Sequence, residues 1–259
     1  MLKSAALAAL LAISAQTAWA SDTWRGAYAE AFVASDSVSV QGGAQVDPAQ
    51  NTYFLADSLS DIARTSAFHR KADKGAIGLL AGYDFASRGP WVFGVEGDID
   101  SGRARVASSK TAVYPCCETL HYTISQTFDT RDFATARLRV GYAMGRHLIY
   151  ATAGAATLRA RISGRFSDTL TADESVGGTA DKTLTGWAAG VGGEVRVASH
   201  WTIRADYLHA DLGRATALGT VIRPDVTVGS GSSANPMAGV SHAAAIKISQ
   251  LRIGLAYKF

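Results

Sequence analysis

The stretch LRIGLAYKF, residues 251–259, decides how the rest of the chain is read. Leu251, Ile253, Leu255, Tyr257 and Phe259 fall on one parity, and Arg252, Gly254, Ala256 and Lys258 on the other. A period of two is the signature of a β-strand, whose successive side chains point to opposite faces. One face of this strand is greasy along its whole length and the other is small or cationic. It also runs to the last residue without the frayed polar tail common in soluble domains. What the greasy face touches is settled by the remaining 250 residues.

Seven further segments alternate in the same way, at about 24–34, 75–85, 91–101, 129–143, 147–160, 184–197 and 201–212, with the eighth at 246–259. Each is about as long as a tilted membrane strand of ~9–11 residues, and longer than the ~5–6 of ordinary soluble strands. The connections alternate strictly. Gly89-Pro90, Met144-Gly145-Arg146 and Ala198-Ser199-His200 are tight turns. Residues 35–74, 102–128, 161–183 and 213–245 are long, and rich in Ser, Thr, Asp, Gly and Ala. In an up-and-down meander this puts all short turns at one end and all long loops at the other, as in outer-membrane barrels. The fold class expected is all-β: an eight-stranded antiparallel up-and-down transmembrane β-barrel with four long extracellular loops and short periplasmic turns. Within 55–71, Leu55, Leu59 and Ile62 share a helical face, which predicts a short surface helix. The last long loop, at 226–245, reads as mobile.

Residues 1–20 carry one cation, Lys3, then an Ala/Leu core, and end Ala18-Trp19-Ala20. This predicts a secretory signal peptide at 1–20, cleaved after Ala20, leaving a barrel domain at 21–259. The apolar core from Ala5 to Ile13 is too short to span a bilayer. Without Lys3 the chain carries 24 Lys and Arg against 22 Asp and Glu. That balance gives no basis for a nucleic-acid partner. Gly is abundant at 26 and Pro scarce at 5, which suits closely packed strands rather than linkers.

Alternation alone allows the greasy face to point inward or outward. Three features favour lipid. Aromatics gather near the short turns (Trp91, Tyr142, Trp201, Tyr257, Phe259), resembling an interfacial girdle. The opposite face mixes Glu96, Asp98, Asp100, Glu194 and Asp206 with Arg137, Arg139, Arg196, Arg204 and Arg252, and is rich in Arg, the cation suited to paired carboxylates in a narrow interior. The third is the terminal aromatic. The residues expected to form a lumen ion-pair network are Glu96, Asp98, Arg137, Arg139, Glu194, Arg196, Arg204, Asp206 and Arg252.

The opening Trp24-Arg25-Gly26-Ala27-Tyr28, the run Thr135 to Tyr142 (TARLRVGY), Gly186-Trp187, Asp206-Tyr207-Leu208, Asp211-Leu212-Gly213 and the closing strand through Phe259 resemble the opacity-type, porin-like surface antigens of Gram-negative bacteria. The resemblance spans the mature chain on short motifs. It implies an eight-stranded barrel in the cell outer membrane. It also implies that Phe259, with Tyr257, is read by the barrel-assembly machinery, with periplasmic chaperones as partners in biogenesis. The long loops depart from the family, so loop-borne functions are not carried over.

Catalytic constellations are sparse. Glu96, Asp98 and Asp100 read as an ion-pair ladder against Arg137 and Arg139 rather than an acid/base pair. Gly190, Gly192 and Gly193 lie mid-strand with no helix to follow, so no phosphate loop is read there. His69, His121, His147, His200, His209 and His242 are scattered. An enzyme acting on lipid A would need a rim dyad or triad; His209, near Asp206 and Asp211, has no His-x-Ser motif beside it. No cofactor and no metal are expected. The adjacent Cys116 and Cys117 are expected to form a vicinal disulfide at a loop tip in an oxidising environment. Arg64, His69, Arg70, Lys71, Lys74, Arg103, Arg105 and Lys110 are candidate contacts for lipopolysaccharide phosphates. The function expected is a non-enzymatic surface protein for envelope integrity and surface contact, with outer-membrane lipids, lipopolysaccharide and an extracellular loop ligand as partners. The alternatives are a porin-like channel of low conductance, a lipid A-modifying enzyme, and a soluble periplasmic barrel.

Overall fold

The computed structural model describes residues 24–169, 176–222 and 237–259; the leader expected at 1–20 lies outside them. Nine strands and one helix follow in the order β1 (Gly26–Asn51), α1 (Ala56–Ser66), β2 (Phe68–Arg88), β3 (Trp91–Asp100), β4 (Ala104–Tyr114), β5 (Cys117–Met144), β6 (His147–Asp168), β7 (Val176–Arg196), β8 (Trp201–Ile222) and β9 (Met237–Lys258). Every pairing is antiparallel, and the sheet closes because β5 pairs with both β3 and β4. β3 and β4 are therefore one stave interrupted at 101–103, and the barrel has eight staves. The closing seam pairs β1 with β9: Tyr28 faces Lys258, and the Phe259 N–H donates to Ala27 O at 3.0 Å. Closure leaves no open edge in a medium that cannot hydrogen-bond one. Trp24, just ahead of β1, tucks into the lumen at the end that carries the short turns, where Nε1 donates to Gly145 O at 3.4 Å.

The strands outrun the expected segments. β5 has 28 residues and β1 has 26, so most of the sequence read as loop at 35–74, 102–128 and 161–183 is sheet. Residues 237–245, expected to be mobile, are the outer half of β9; 226–236 lie outside the described residues. Ser, Thr and Gly are common in loops and equally in sheet that faces water. In this barrel they clothe a wet sheet: Ser109 and Ser125 hydroxyls meet at 2.9 Å across β4–β5, and Thr111 and Thr123 at 2.8 Å.

The two faces exchange polarity part-way up. In β9, Leu251, Ile253 and Leu255 point outward, while Arg252 and Gln250 are buried. Six residues higher the same inward parity carries Ile246 and Ile248, buried, with Lys247 outside. β6 does the same: Ile149 is exposed below, and Leu158, Ile162 and Phe166 are buried above with Arg159 and Arg165 outside. The lower half is thus an inside-out protein fitted to lipid, and the upper half a right-side-out barrel fitted to water. Irregularities mark the boundary. Asp132 (φ 52°) is a one-residue bulge in β5, β8 shifts register between Asp211 and Arg214, and the third stave breaks at 101–103. Bulges flip parity, which is how β5 keeps Arg137 and Phe128 on the same inner wall.

Candidate functional site

The lumen is packed in layers. At the periplasmic end Trp24, Val92, Ala143 and Leu148 form an apolar floor. Above it sits the ionic layer. Arg137 donates from Nε and Nη2 to Glu96 Oε1 at 3.1 and 2.7 Å, and Nη2 also lies 2.7 Å from Asp98 Oδ2. Arg204 Nη2 bonds Glu96 Oε2 at 2.8 Å, and Arg139 Nη2 bonds Glu194 Oε1 at 2.7 Å. Arg252 pairs with Asp206 at 2.5 Å and with Asp98 at 3.2 Å. Eight of the nine residues expected in the lumen network are therefore in one connected cluster. Arg196 is half-buried at the periplasmic rim, with its guanidinium 4.9 Å from the Trp24 ring.

The network has members that sequence reading missed. Glu30 approaches Arg204 at 3.5 Å. The Tyr28 hydroxyl donates to Glu96 Oε2 at 3.1 Å and accepts from Arg139 at 2.9 Å. Tyr150 lies under both Arg139 and Arg204, at 4.3 and 4.5 Å. Lys258 holds Asp84 at 3.0 Å, and Gln250 donates to Asp100 at 2.7 Å. The signal for Glu30 was present, since it shares parity with Tyr28 and Phe32 against Ala29, Ala31 and Val33. Gly82 makes room for this layer: a Cβ there would overlap the Tyr28 ring. Breaking one such buried pair costs about 3–5 kcal/mol, because the remaining charge has no water.

Above the ions an apolar core fills the lumen, including Val38, Phe128, Phe133, Leu158, Leu208 and Ile246. Lys74, expected on the surface, is inside this half, 3.1 Å from Asp36 with its side chain almost fully buried. Its even position on β2 puts it inward. The outer mouth is aromatic. Phe54 packs edge-on against Phe166 at 5.1 Å, and Tyr122 stacks on Phe166 at 6.0 Å. Helix α1, expected on the surface, seats Ile62 in this cluster with 0% of the residue exposed. Ser66 fastens its last turn to the Ala44 main chain at 2.8 and 3.1 Å. The Tyr122 hydroxyl donates to Asp61 Oδ2 at 2.5 Å, which holds the Asp61 carboxyl below its usual range; burial and that carboxylate push Tyr122 up to about 12. Tyr53 and Tyr114 both donate to Asp168 Oδ2, at 2.7 and 2.8 Å. Cys116 and Cys117 are bonded to each other at the exposed β4–β5 tip.

Outward at the boundary, register brings His209 opposite Ser249, with Nδ1 3.0 Å from Oγ. Asp211 lies two residues on and pairs with Lys247 at 3.1 Å. Sequence spacing could not reveal this pair, since its members are 40 residues apart. Both residues lie in the β8–β9 ladder, which shifts register just beyond them, between Asp211 and Arg214. Among the described residues no His, Cys, Asp and Glu group is arranged to hold a metal.

The model of the outer membrane protein beta-barrel domain family matches residues 5–259. The chain belongs to this outer-membrane barrel family. The greasy belt is thus lipid-facing, and the barrel resides in the outer membrane. It is similar to the 31 kDa outer-membrane immunogenic proteins of Brucella melitensis biotype 1 and Brucella suis biovar 1, 35% identical over 83 residues to each. That match covers 32% of this chain and spans about a third, 33%, of each relative. Among solved structures it is similar to the attachment invasion locus protein Ail of Yersinia pestis, with 14% identity, 91% of this chain and 99% of that one covered, and a TM-score of 0.37. It is also similar to OprG of Pseudomonas aeruginosa, with 14% identity, 91% and 96% covered, and a TM-score of 0.39. The protease OmpT of Escherichia coli stands at 9% identity, 90% and 97% covered, and 0.40.

Proposed function

We propose that this outer-membrane barrel is a sealed, non-enzymatic surface protein that contributes to envelope integrity and presents its outer cylinder for contact. One observation carries the reading: the lumen is filled from Trp24 through the ionic layer and the apolar core to Ile62. A barrel of eight staves has an interior just wide enough for side chains, and this one leaves its charges paired to one another rather than to a passing ion. Recognition of Tyr257 and Phe259 by the barrel-assembly machinery, with periplasmic chaperones, belongs to the same reading, as does an extracellular ligand on the upper cylinder. Planar-bilayer recording tests it. The purified barrel should give no discrete conductance steps, and steps from the wild type would establish the porin-like alternative instead.

His209 and Ser249 support a second reading, an enzyme that acts on lipid A at the boundary. Mass analysis of lipid A from cells lacking the protein discriminates. A changed acylation pattern, restored by the wild type and not by His209→Ala, would favour the enzyme; an unchanged pattern favours the sealed surface barrel.

A further inference from the structure

The outward charges at the polarity boundary are unevenly placed. Register sets Arg105 opposite Asp129, Asp129 opposite Arg161, and Arg161 opposite Asp181. One step nearer the membrane, Arg131 stands directly opposite Arg159. Like charges opposed across a strand pair are destabilising unless something anionic answers them. The answer within the chain is partial: Arg159 reaches Asp132 at 3.5 Å and Arg105 reaches Asp129 at 3.7 Å, both well exposed. Among the described residues Arg103, Arg131 and Arg161 make no ion pair. They border a hollow of ≈ 330 Å³ between β4, β5 and β6 that Asp129 also lines, and a second of ≈ 250 Å³ lies between Arg131, Arg159, Lys182 and Asp181. On the far side, at β8–β9, the boundary cation Lys247 already has Asp211.

An apolar trough abuts this cluster. It is ≈ 840 Å³, walled by Val33, Ile77, Leu79, Ile99 and Leu255, and floored by Ala31 and the Gly78 and Gly254 backbone. Its upper end reaches Ser101 and Asp132, the residue that holds Arg159. A cradle of guanidinium forks above a greasy groove, at the level where lipid meets water, matches one kind of molecule: a lipid with phosphate on its headgroup and acyl chains below. Arg suits phosphate because its planar fork makes two parallel bonds.

We propose that the outer wall of β4–β6, with the trough of β9–β1–β2–β3 beneath it, binds a phosphorylated, acylated glycolipid of the outer leaflet, its phosphates on Arg103, Arg131, Arg159 and Arg161. This rests on the membrane placement of the barrel and names one partner for its wall. Of the loop cations singled out by sequence, the site keeps Arg103 alone among its phosphate ligands. Lys74 is buried, Arg64 is paired with Asp61, and Lys110 donates to Ala67 O, whereas Arg131, Arg159 and Arg161 lie within what read as strands or their margins.

Native mass spectrometry of the detergent-solubilised barrel tests it with three probes: bisphosphorylated lipid A, the same lipid without phosphates, and inorganic phosphate. The wild type should retain bisphosphorylated lipid A at least about tenfold better than the dephosphorylated form. The R131Q/R159Q/R161Q variant should lose that preference, while R214Q/K247Q, on the other side, keeps it. Ala31→Trp, which fills the trough, should weaken lipid A retention. Undiminished preference in the triple variant, equal loss in the control, or unchanged retention in Ala31→Trp would overturn the proposal. Competition by inorganic phosphate at concentrations equal to the lipid would overturn it in favour of a free-anion site. Heat-modifiable gel migration is read on each sample. A folded, shifted band with no lipid preference refutes the site alone, whereas a wild type without the shift refutes the closed membrane barrel.

Discussion

Glu96 and Arg137 face each other across β3 and β5, two guanidinium nitrogens on one carboxylate oxygen, with neither side chain exposed at all. They sit where the third stave meets the fifth strand, so the ionic layer also fastens the barrel's wall to its filling.

Removing either leaves unbalanced charge in a site without water, although Glu96 keeps Arg204 and Tyr28, and Arg137 keeps Asp98. Arg137→Met should lower the unfolding free energy in lipid vesicles by about 3–5 kcal/mol, and Glu96→Gln by a similar amount. The double variant should recover part of that loss. Urea titrations followed by tryptophan fluorescence read all three.

The outer plug is held by fewer bonds. Tyr122→Phe removes the donor to Asp61 and should cost about 1–2 kcal/mol, felt at α1 rather than throughout the barrel. Limited proteolysis should cut within 56–66 in the variant, while the heat-modifiable gel shift stays intact.

His242 gives the upper cylinder a pH dependence. It is buried beside Gly164, where any side chain would overlap its ring, and burial holds it down to about 4. Unfolded, it would titrate near 6.5. Between these values the opened state takes up a proton that the closed state refuses, so stability is complete above about pH 6.5 and declines as pH falls toward 4. Protection of the outer halves of β6 and β9 against hydrogen exchange, taken relative to the intrinsic rate at each pH, should fall as the pH is lowered across that window. His242→Leu should flatten the response; an unchanged profile in that variant would assign the effect elsewhere.

The polarity exchange makes an arginine scan directional. Leu79→Arg, on the lipid face, should destabilise by about 2–4 kcal/mol, while Ser125→Arg, on the outer face above the boundary, should change stability by less than about 0.5 kcal/mol.

The membrane half was legible in the sequence because lipid demands strict alternation. Leu251, Ile253 and Leu255 against Arg252 state it plainly, and Glu96, Asp98, Arg137 and Arg204 followed from parity. The upper half was not, because a water-facing sheet is clothed in Ser, Thr and Gly, the residues that also make loops. Yet a clue was in the closing strand. Ile246 and Ile248 lie on the parity of Arg252, opposite to Leu251, and a single greasy face at 246–259 cannot include both sets. The pairing of His209 with Ser249, and the crowding of Arg131, Arg159 and Arg161, depend on register between strands. No spacing within one strand reveals that.

The barrel turns its apolar side chains outward below the boundary and inward above it. Nitroxide labels at Leu79 and Val95, and at Ser125 and Ser163, in reconstituted protein with Cys116 and Cys117 replaced by Ser, test this through collision with oxygen and with a water-soluble nickel chelate. The first two labels should report hydrocarbon contact and the second two water contact. Water contact at Leu79 and Val95, or hydrocarbon contact at Ser125 and Ser163, would contradict it.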